Sequence, residues 1–62
     1  MLDDDDVVAA RSSGTPAHQL AELAMSSRWE VRLAVSFNDD TPSDVLAQLA
    51  HDDDWRVREG AA

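Results

Sequence analysis

Four groups of residues in this 62-residue chain have types and spacings that could do chemistry. Asp3–Asp6 are consecutive carboxylates, the donor type that hard cations such as calcium take. Calcium loops space their ligands and turn at a Gly, and four adjacent Asp do neither, so the run reads as a solvated, frayed N-terminus. His51-Asp52-Asp53-Asp54 could ligate a metal or move protons. A metal site needs three or four ligands converging in fixed geometry, which neighbours in one loop rarely supply. A capping and surface role fits this segment better, with Arg56 and Arg58 nearby to answer its charge. The third group is Arg32 with Arg58 and the fourth is Trp29 with Trp55, both of which recur. No nucleophile–base pair, Gly-rich phosphate loop or H-x-x-x-H pattern is present. The expectation is a protein that is not an enzyme and holds no cofactor.

The recurrence explains the third and fourth groups. Residues 15–36 and 41–62 are one unit written twice, at an offset of 26 residues. Nine of 22 aligned positions are identical, from Thr15/Thr41 and Pro16/Pro42 through Leu20/Leu46, Ala21/Ala47, Leu23/Leu49 and Ala24/Ala50 to Trp29/Trp55, Val31/Val57 and Arg32/Arg58. A period of this size marks a solenoid, in which each unit buries its apolar face on its neighbours. His18 and His51 are out of register, so no His site recurs. Arg32 and Arg58 in register read as a ladder, each guanidinium bonding a carboxylate or loop carbonyl of an adjacent unit. The competing reading is a binding stripe for acidic ligands. Trp29 and Trp55 read as seals of the gap between units, with an exposed interaction hot spot as the competing reading.

The elements that must position these residues follow from helix signals. Thr15-Pro16 and Thr41-Pro42 are helix starts, with Thr as the N-cap and Pro at the first helical position. Asp44, three after Thr41, suits the positive helix end. Leu20, Leu23 and Ala24, and then Val45, Leu46, Leu49 and Ala50, define the buried faces of helices near 16–25 and 42–51. Ser26-Ser27 and Asp52-Asp53 break the pattern and offer new caps. A second helix follows in each unit, with Val31, Ala34 and Val35 on one stripe and Trp29, Leu33 and Phe37 on another. Asn38-Asp39-Asp40 closes the first unit as a turn. Val8–Gly14 aligns with Ala34–Asp40, so a half-unit with one helix near 4–12 precedes the two units. The expected fold is all-α, about five short helices, divided into a half-repeat 1–14, a repeat 15–40 and a repeat 41–62.

Composition narrows the function classes. The net charge is −8 and all five cations are Arg. Such a chain repels phosphates and anionic lipid, which argues against nucleic acid and membrane surfaces as partners and in favour of solubility and a basic partner. Without Cys there is no disulfide, zinc–thiolate or iron–sulfur chemistry. With no long apolar run and no signal-peptide pattern, a soluble cytoplasmic protein is expected. The ten Ala, many Asp and absence of Lys suit a high-GC bacterial coding bias.

The string from Thr41 to Arg58, TP-x-x-V-L-x-x-L-A-x-D-x-D-x-x-V-R, is similar to the leucine-rich repeat variant family. Trp29–Asn38 also resembles that family's V-R-x-A-V-x-x-N segment. The resemblance covers residues 15–62. It implies a right-handed superhelix in which α-helices alternate with shorter, often 3₁₀, helices, near the HEAT and armadillo folds that mostly bind other proteins. Asn38-Asp39 stands where the family has Asn-Pro, and the second unit stops at Ala62 without its Asn turn. The Cys-rich iron–sulfur segment of some members has no counterpart here.

Together these point to a protein-interaction module or scaffold piece whose partner is a protein of unknown identity. The alternatives are a structural or oligomerisation unit without a ligand and, from charge alone, an acidic decoy of nucleic acid. Natural arrays close their ends with polar caps. Val57, Gly60, Ala61 and Ala62 look uncapped, so the sequence predicts that this face is covered, either by the same face of a second copy in an isologous dimer or by further repeats of a longer array.

Overall fold

The computed structural model describes residues 4–62, so Asp3 of the acidic run lies outside the described residues. These residues form five helices: α1 (Asp4–Arg11), α2 (Ala17–Leu23), α3 (Trp29–Phe37), α4 (Ser43–Leu49) and α5 (Trp55–Ala61). The architecture is a short all-α solenoid. α3 lies between α1 and α5 in one layer, α2 packs over the α1/α3 pair and α4 over the α3/α5 pair. Between the layers sits a core of Ala10, Leu20, Ala24, Val31, Ala34, Val35, Val45, Leu49 and Val57. Leu20, Val31, Val35 and Val57 are completely buried, so both recurring helix types contribute their stripe to one core.

The second helix of each unit departs from the expectation of a shorter, 3₁₀ element. α3 and α5 are α-helices, and α3, at 9 residues, is longer than α2, at 7. α3 is apolar on both stripes and has helices on two sides, so packing sustains it. α2 and α4 end sooner than the apolar spacing suggests. Their last turns tighten into i→i−3 bonds, Met25 N–H to Glu22 O and His51 N–H to Gln48 O, both 3.0 Å.

The threonines do not cap the helices they precede. At the starts of α2 and α4, Pro16 and Pro42 hold the extended N-cap conformation, and neither helix has a side-chain cap. The Thr15 hydroxyl instead donates to Ala9 O and the Thr41 hydroxyl to Val35 O, each at 2.7 Å. These bonds add a second donor to carbonyls near the ends of the preceding helices, which otherwise accept from the Ser12 and Asn38 N–H groups at 3.3 and 3.1 Å. Thr-Pro therefore works as a brace that folds the chain back, and its position before a helix made it look like a cap. Ser26 and Asp52 behave similarly. Their side chains accept from the N–H two residues on, Arg28 and Asp54 respectively, and the cap proper of α5 is Asp54, which accepts from Arg56 N–H at 2.9 Å.

Turn stacks on turn where the first unit meets the half-unit. Asn38, buried, donates through Nδ2 to Ala10 O at 2.8 Å and Ser12 O at 3.0 Å, and its Oδ1 accepts from Asp40 N–H at 2.8 Å. Asp40 in turn accepts from Gly14 N–H at 3.1 Å, where Gly14 takes a left-handed φ of 91°. Asn38 is thus more than the closing turn residue that its sequence context suggests, since it ties two units together.

Candidate interaction surfaces

The joint between the two full units is built from recurring residues. Arg32, on α3, donates through Nε to Asp52 Oδ2 at 2.8 Å and through NH2 to Asp52 Oδ1 at 3.1 Å, a two-pronged pair that crosses from one unit to the next. Its third nitrogen, NH1, donates to Ser26 O at 2.7 Å within its own unit. Both side chains are largely covered, 17% and 10% exposed, where a planar fork on a carboxylate holds its geometry well. Trp29 is half-buried against the core, and the Arg56 guanidinium of the next unit lies 3.6 Å from its ring centroid. Asp54 holds Arg56 there by two bonds, Nε to Oδ1 at 2.9 Å and NH2 to Oδ2 at 2.7 Å. A cation over an indole face is attracted by the ring quadrupole.

The second copies of these residues sit differently. Arg58 is exposed and donates through NH1 to Asp52 O at 2.6 Å and Asp53 O at 3.0 Å. Trp55 is 59% exposed. The joint brings Trp29 and Arg32 together with Asp52 and Arg56, and leaves Trp55 and Arg58 at the C-terminal end.

The expected dimer contact requires correction. Val57 is completely buried in the core and Ala61 packs against it. Gly60 faces α3 so closely that a Cβ there would overlap the Ser36 hydroxyl oxygen and lie 2.9 Å from Leu33 Cδ1. Only Ala62 of the four is exposed. Small residues at a helix end invited a reading of close approach by another chain's backbone, whereas Gly60 is approached by the Ser36 and Leu33 side chains of the chain's own α3.

A shallow groove of about 310 Å³ opens on the layer of α1 and α3, lined by Val7, Arg11, Glu30, Leu33, Ala34 and Phe37. Phe37 is 66% exposed at its rim. Leu33 and Phe37 had been visible as a stripe, but their pairing with Val7 and Arg11 needs the stacking of the half-unit. Among the described residues no three His, Asp or Glu side chains are placed to hold a metal, and Asp52 and Asp54 are engaged by arginines. Among the same residues no helix is long and apolar enough to cross a membrane.

The carboxylates of the joint titrate low. Partial burial raises the Asp52 carboxyl, but the Arg32 fork, the Asp54 N–H and the Arg32 charge outweigh it and hold it below its ordinary value. The Arg56 side-chain bonds hold Asp54 at about 2, against partial burial and with help from the Arg56 N–H. A carboxylate depressed on folding contributes stability above its unfolded pKa, near 3.8, that is lost as pH falls through the folded value. The urea midpoint is therefore expected to be flat from about pH 7 to 5 and to fall steadily from about pH 4 to 2. Arg32→Gln should start lower and fall less. Equal acid slopes in the two proteins would contradict the joint.

Three residues that matter here escaped the sequence reading: Asp52 as the partner of Arg32, Arg56 as the cover of Trp29, and Asn38. A signal existed for Arg56. Arg28 and Glu30 of the first unit become Asp54 and Arg56 in the second, an exchange of sign at two positions that flank the recurring Trp.

No curated protein and no solved structure matches the chain. A family model, leucine rich repeat variant, matches residues 29–54. The matched stretch runs from α3 through the Asn38 turn and α4 to the Asp52–Asp54 loop, and so contains both partners of the Arg32–Asp52 fork. The segment from Trp29 to Asp54, which carries both partners of the Arg32–Asp52 fork, is thus similar to a leucine-rich repeat variant unit.

Proposed function

We propose that this helical repeat module is a protein-binding scaffold without catalytic activity. Its groove between α1 and α3 takes a basic segment of a partner protein that carries a large apolar side chain. The observation that supports this reading most is Phe37, a 66% exposed aromatic at the rim of a groove floored by Val7, Leu33 and Ala34. Exposed aromatics in a small apolar depression are the usual anchors of protein contacts. Glu30 lines one side of the groove and Arg11 another. The −8 net charge steers cationic partners toward the module and repels anionic ones. A volume of about 310 Å³ is at the small end for a ligand pocket and suits one or two side chains of a longer segment.

Selection from a displayed random-peptide library tests this reading. Sequences enriched on the wild-type protein should combine Lys or Arg with a large apolar residue, and Phe37→Asp should weaken their binding by about tenfold or more, the usual scale for an anchor. Phe37 is exposed, so circular dichroism and the melting midpoint should hardly move. Enriched peptides that bind Phe37→Asp as well as wild type would place the function elsewhere.

A purely structural or assembly role is the second reading. It is favoured by Trp55, a large indole on the end face of a stacked array.

A further inference from the structure

Charge along the α1/α3 groove is ordered. We propose that the groove receives the C-terminal end of the partner polypeptide: its α-carboxylate on Arg11, its last side chain, an apolar one, against Leu33 and Phe37, and a Lys or Arg about three residues earlier on Glu30. This rests on the groove reading above and names the part of the partner that the groove takes.

The two helices give the groove a direction. Glu30, Leu33, Ala34 and Phe37 fall at i, i+3, i+4 and i+7, one stripe of α3, and Val7 and Arg11 face it from one stripe of α1. The C-terminal ends of the two helices lie together, because Asn38, just after α3, bonds Ala10 O and Ser12 O at the end of α1. Arg11 and Phe37 are the last residues of those helices and so share one end of the groove. Glu30 lies in the first turn of α3. It is about 10 Å farther along the axis, at roughly 1.5 Å per residue. An extended chain covers that distance in about three residues.

Both charges are available to a ligand. Arg32 and Arg56 bond carboxylates and Arg58 bonds carbonyls, whereas Arg11 makes no hydrogen bond, ion pair or ring contact among the described residues. Its place in the last turn of α1 suits the negative helix end. The carbonyls at that end, which would repel an anion, already accept from Thr15 and Asn38. Glu30 is likewise unbonded among the described residues, and acts on Arg56 through its charge alone.

A chain end fits these features better than an internal acidic residue. At a net charge of −8 the module favours a basic segment, which has few acidic side chains to offer Arg11. Every polypeptide carries one carboxylate at its end whatever its composition. The space, about 310 Å³, takes one or two side chains, so the carboxylate and the apolar group must come from nearly the same residue. The last residue of a chain carries both, and the planar guanidinium takes a carboxylate by two parallel bonds.

Two displayed libraries of random peptides test the proposal. One leaves the C-terminus of the peptide free, and the other runs it on into the carrier protein. The wild-type protein is expected to enrich the free-ended library, in sequences with Leu, Met or Phe last and Lys or Arg about three residues before. The most enriched peptide, synthesised as the acid and as the amide, gives the magnitude. Amidation and Arg11→Gln should each weaken binding by about tenfold, the scale of a bond between charged groups. Together they should weaken it little more than either alone, because both remove the same pair. Arg11 is exposed, so the melting midpoint of Arg11→Gln should move by a few degrees at most. Equal enrichment of the two libraries, or an amide that binds as tightly as the acid, would overturn the chain-end proposal. If Phe37→Asp still weakens those peptides, the groove reading stands without it. Peptides indifferent to Phe37→Asp, or no enrichment from either library, would overturn both.

Discussion

Asn38→Ala is expected to lower stability by about 3 kcal/mol, because it removes three bonds, one of them buried at the Ala10 carbonyl and two part-buried. The Asn38 amide donates to Ala10 O and Ser12 O, at the end of α1, and its oxygen holds Asp40 N–H. Nothing in the helix can take up those carbonyls once the amide is gone. A chain this size has roughly 3–9 kcal/mol in all, so the variant should melt about 15 °C lower and α1 should detach first. Asn38→Asp keeps the accepting oxygen and loses the donor. It turns a carboxylate toward two carbonyls, and at neutral pH it should be worse than Ala. Thermal melts of the three proteins, followed by circular dichroism, check this. An Asn38→Asp protein as stable as wild type would mean that the amide is not the tie between half-unit and unit.

Gly60 is the other position where a small change should have a large effect. In isolation Gly60→Ala would favour the helix by about 1 kcal/mol. Here the added methyl overlaps the Ser36 oxygen and crowds Leu33 Cδ1, and overpacking of that kind costs roughly 1–3 kcal/mol. A net loss of about 1 kcal/mol is expected for Gly60→Ala and about 3 kcal/mol for Gly60→Val. The register offers a sharper test. The corresponding pair in the first joint is Ala10 and Ala34, both buried. In the second joint Ser36 is larger by one atom than Ala10, and Gly60 is smaller by one than Ala34. Ser36→Ala with Gly60→Ala restores the Ala/Ala pair and should recover wild-type stability or exceed it. Urea titrations of the single and double variants measure the coupling. A double variant no better than Gly60→Ala alone would show that the two residues do not share the space.

What the sequence could and could not reveal divides along physical lines. Helix existence was legible because the Leu-x-x-Leu-Ala and Val-x-x-Ala-Val spacings are local and each builds its own buried stripe. The helices come from that periodicity, and the ends that were placed differ by at most two residues because terminal 3₁₀ turns depend on backbone bonds that leave no pattern. Thr15 and Thr41 were misread since a hydroxyl before Pro can cap forward or brace backward, and only the position of the preceding helix decides. Gly60 was misread in direction. Its small size was plain, but which helix comes close is a property of stacking. Arg32 shows how far register alone reaches: it marks a position as structural, but Asp52 lies 20 residues away and out of phase with the repeat. Phe37 and Val7 meet across two units, so the groove has no signature in either.

The most direct test of the binding role is chemical-shift mapping of the labelled protein with a peptide taken from the library selection. Backbone and methyl resonances of Val7, Arg11, Glu30, Leu33, Ala34 and Phe37 should move together and saturate at one affinity, while those of Leu23 and Leu46 on the opposite layer stay in place. Shifts centred on α2 and α4, or scattered without saturation, would contradict the assignment of the α1/α3 groove as the site where this protein binds its partner.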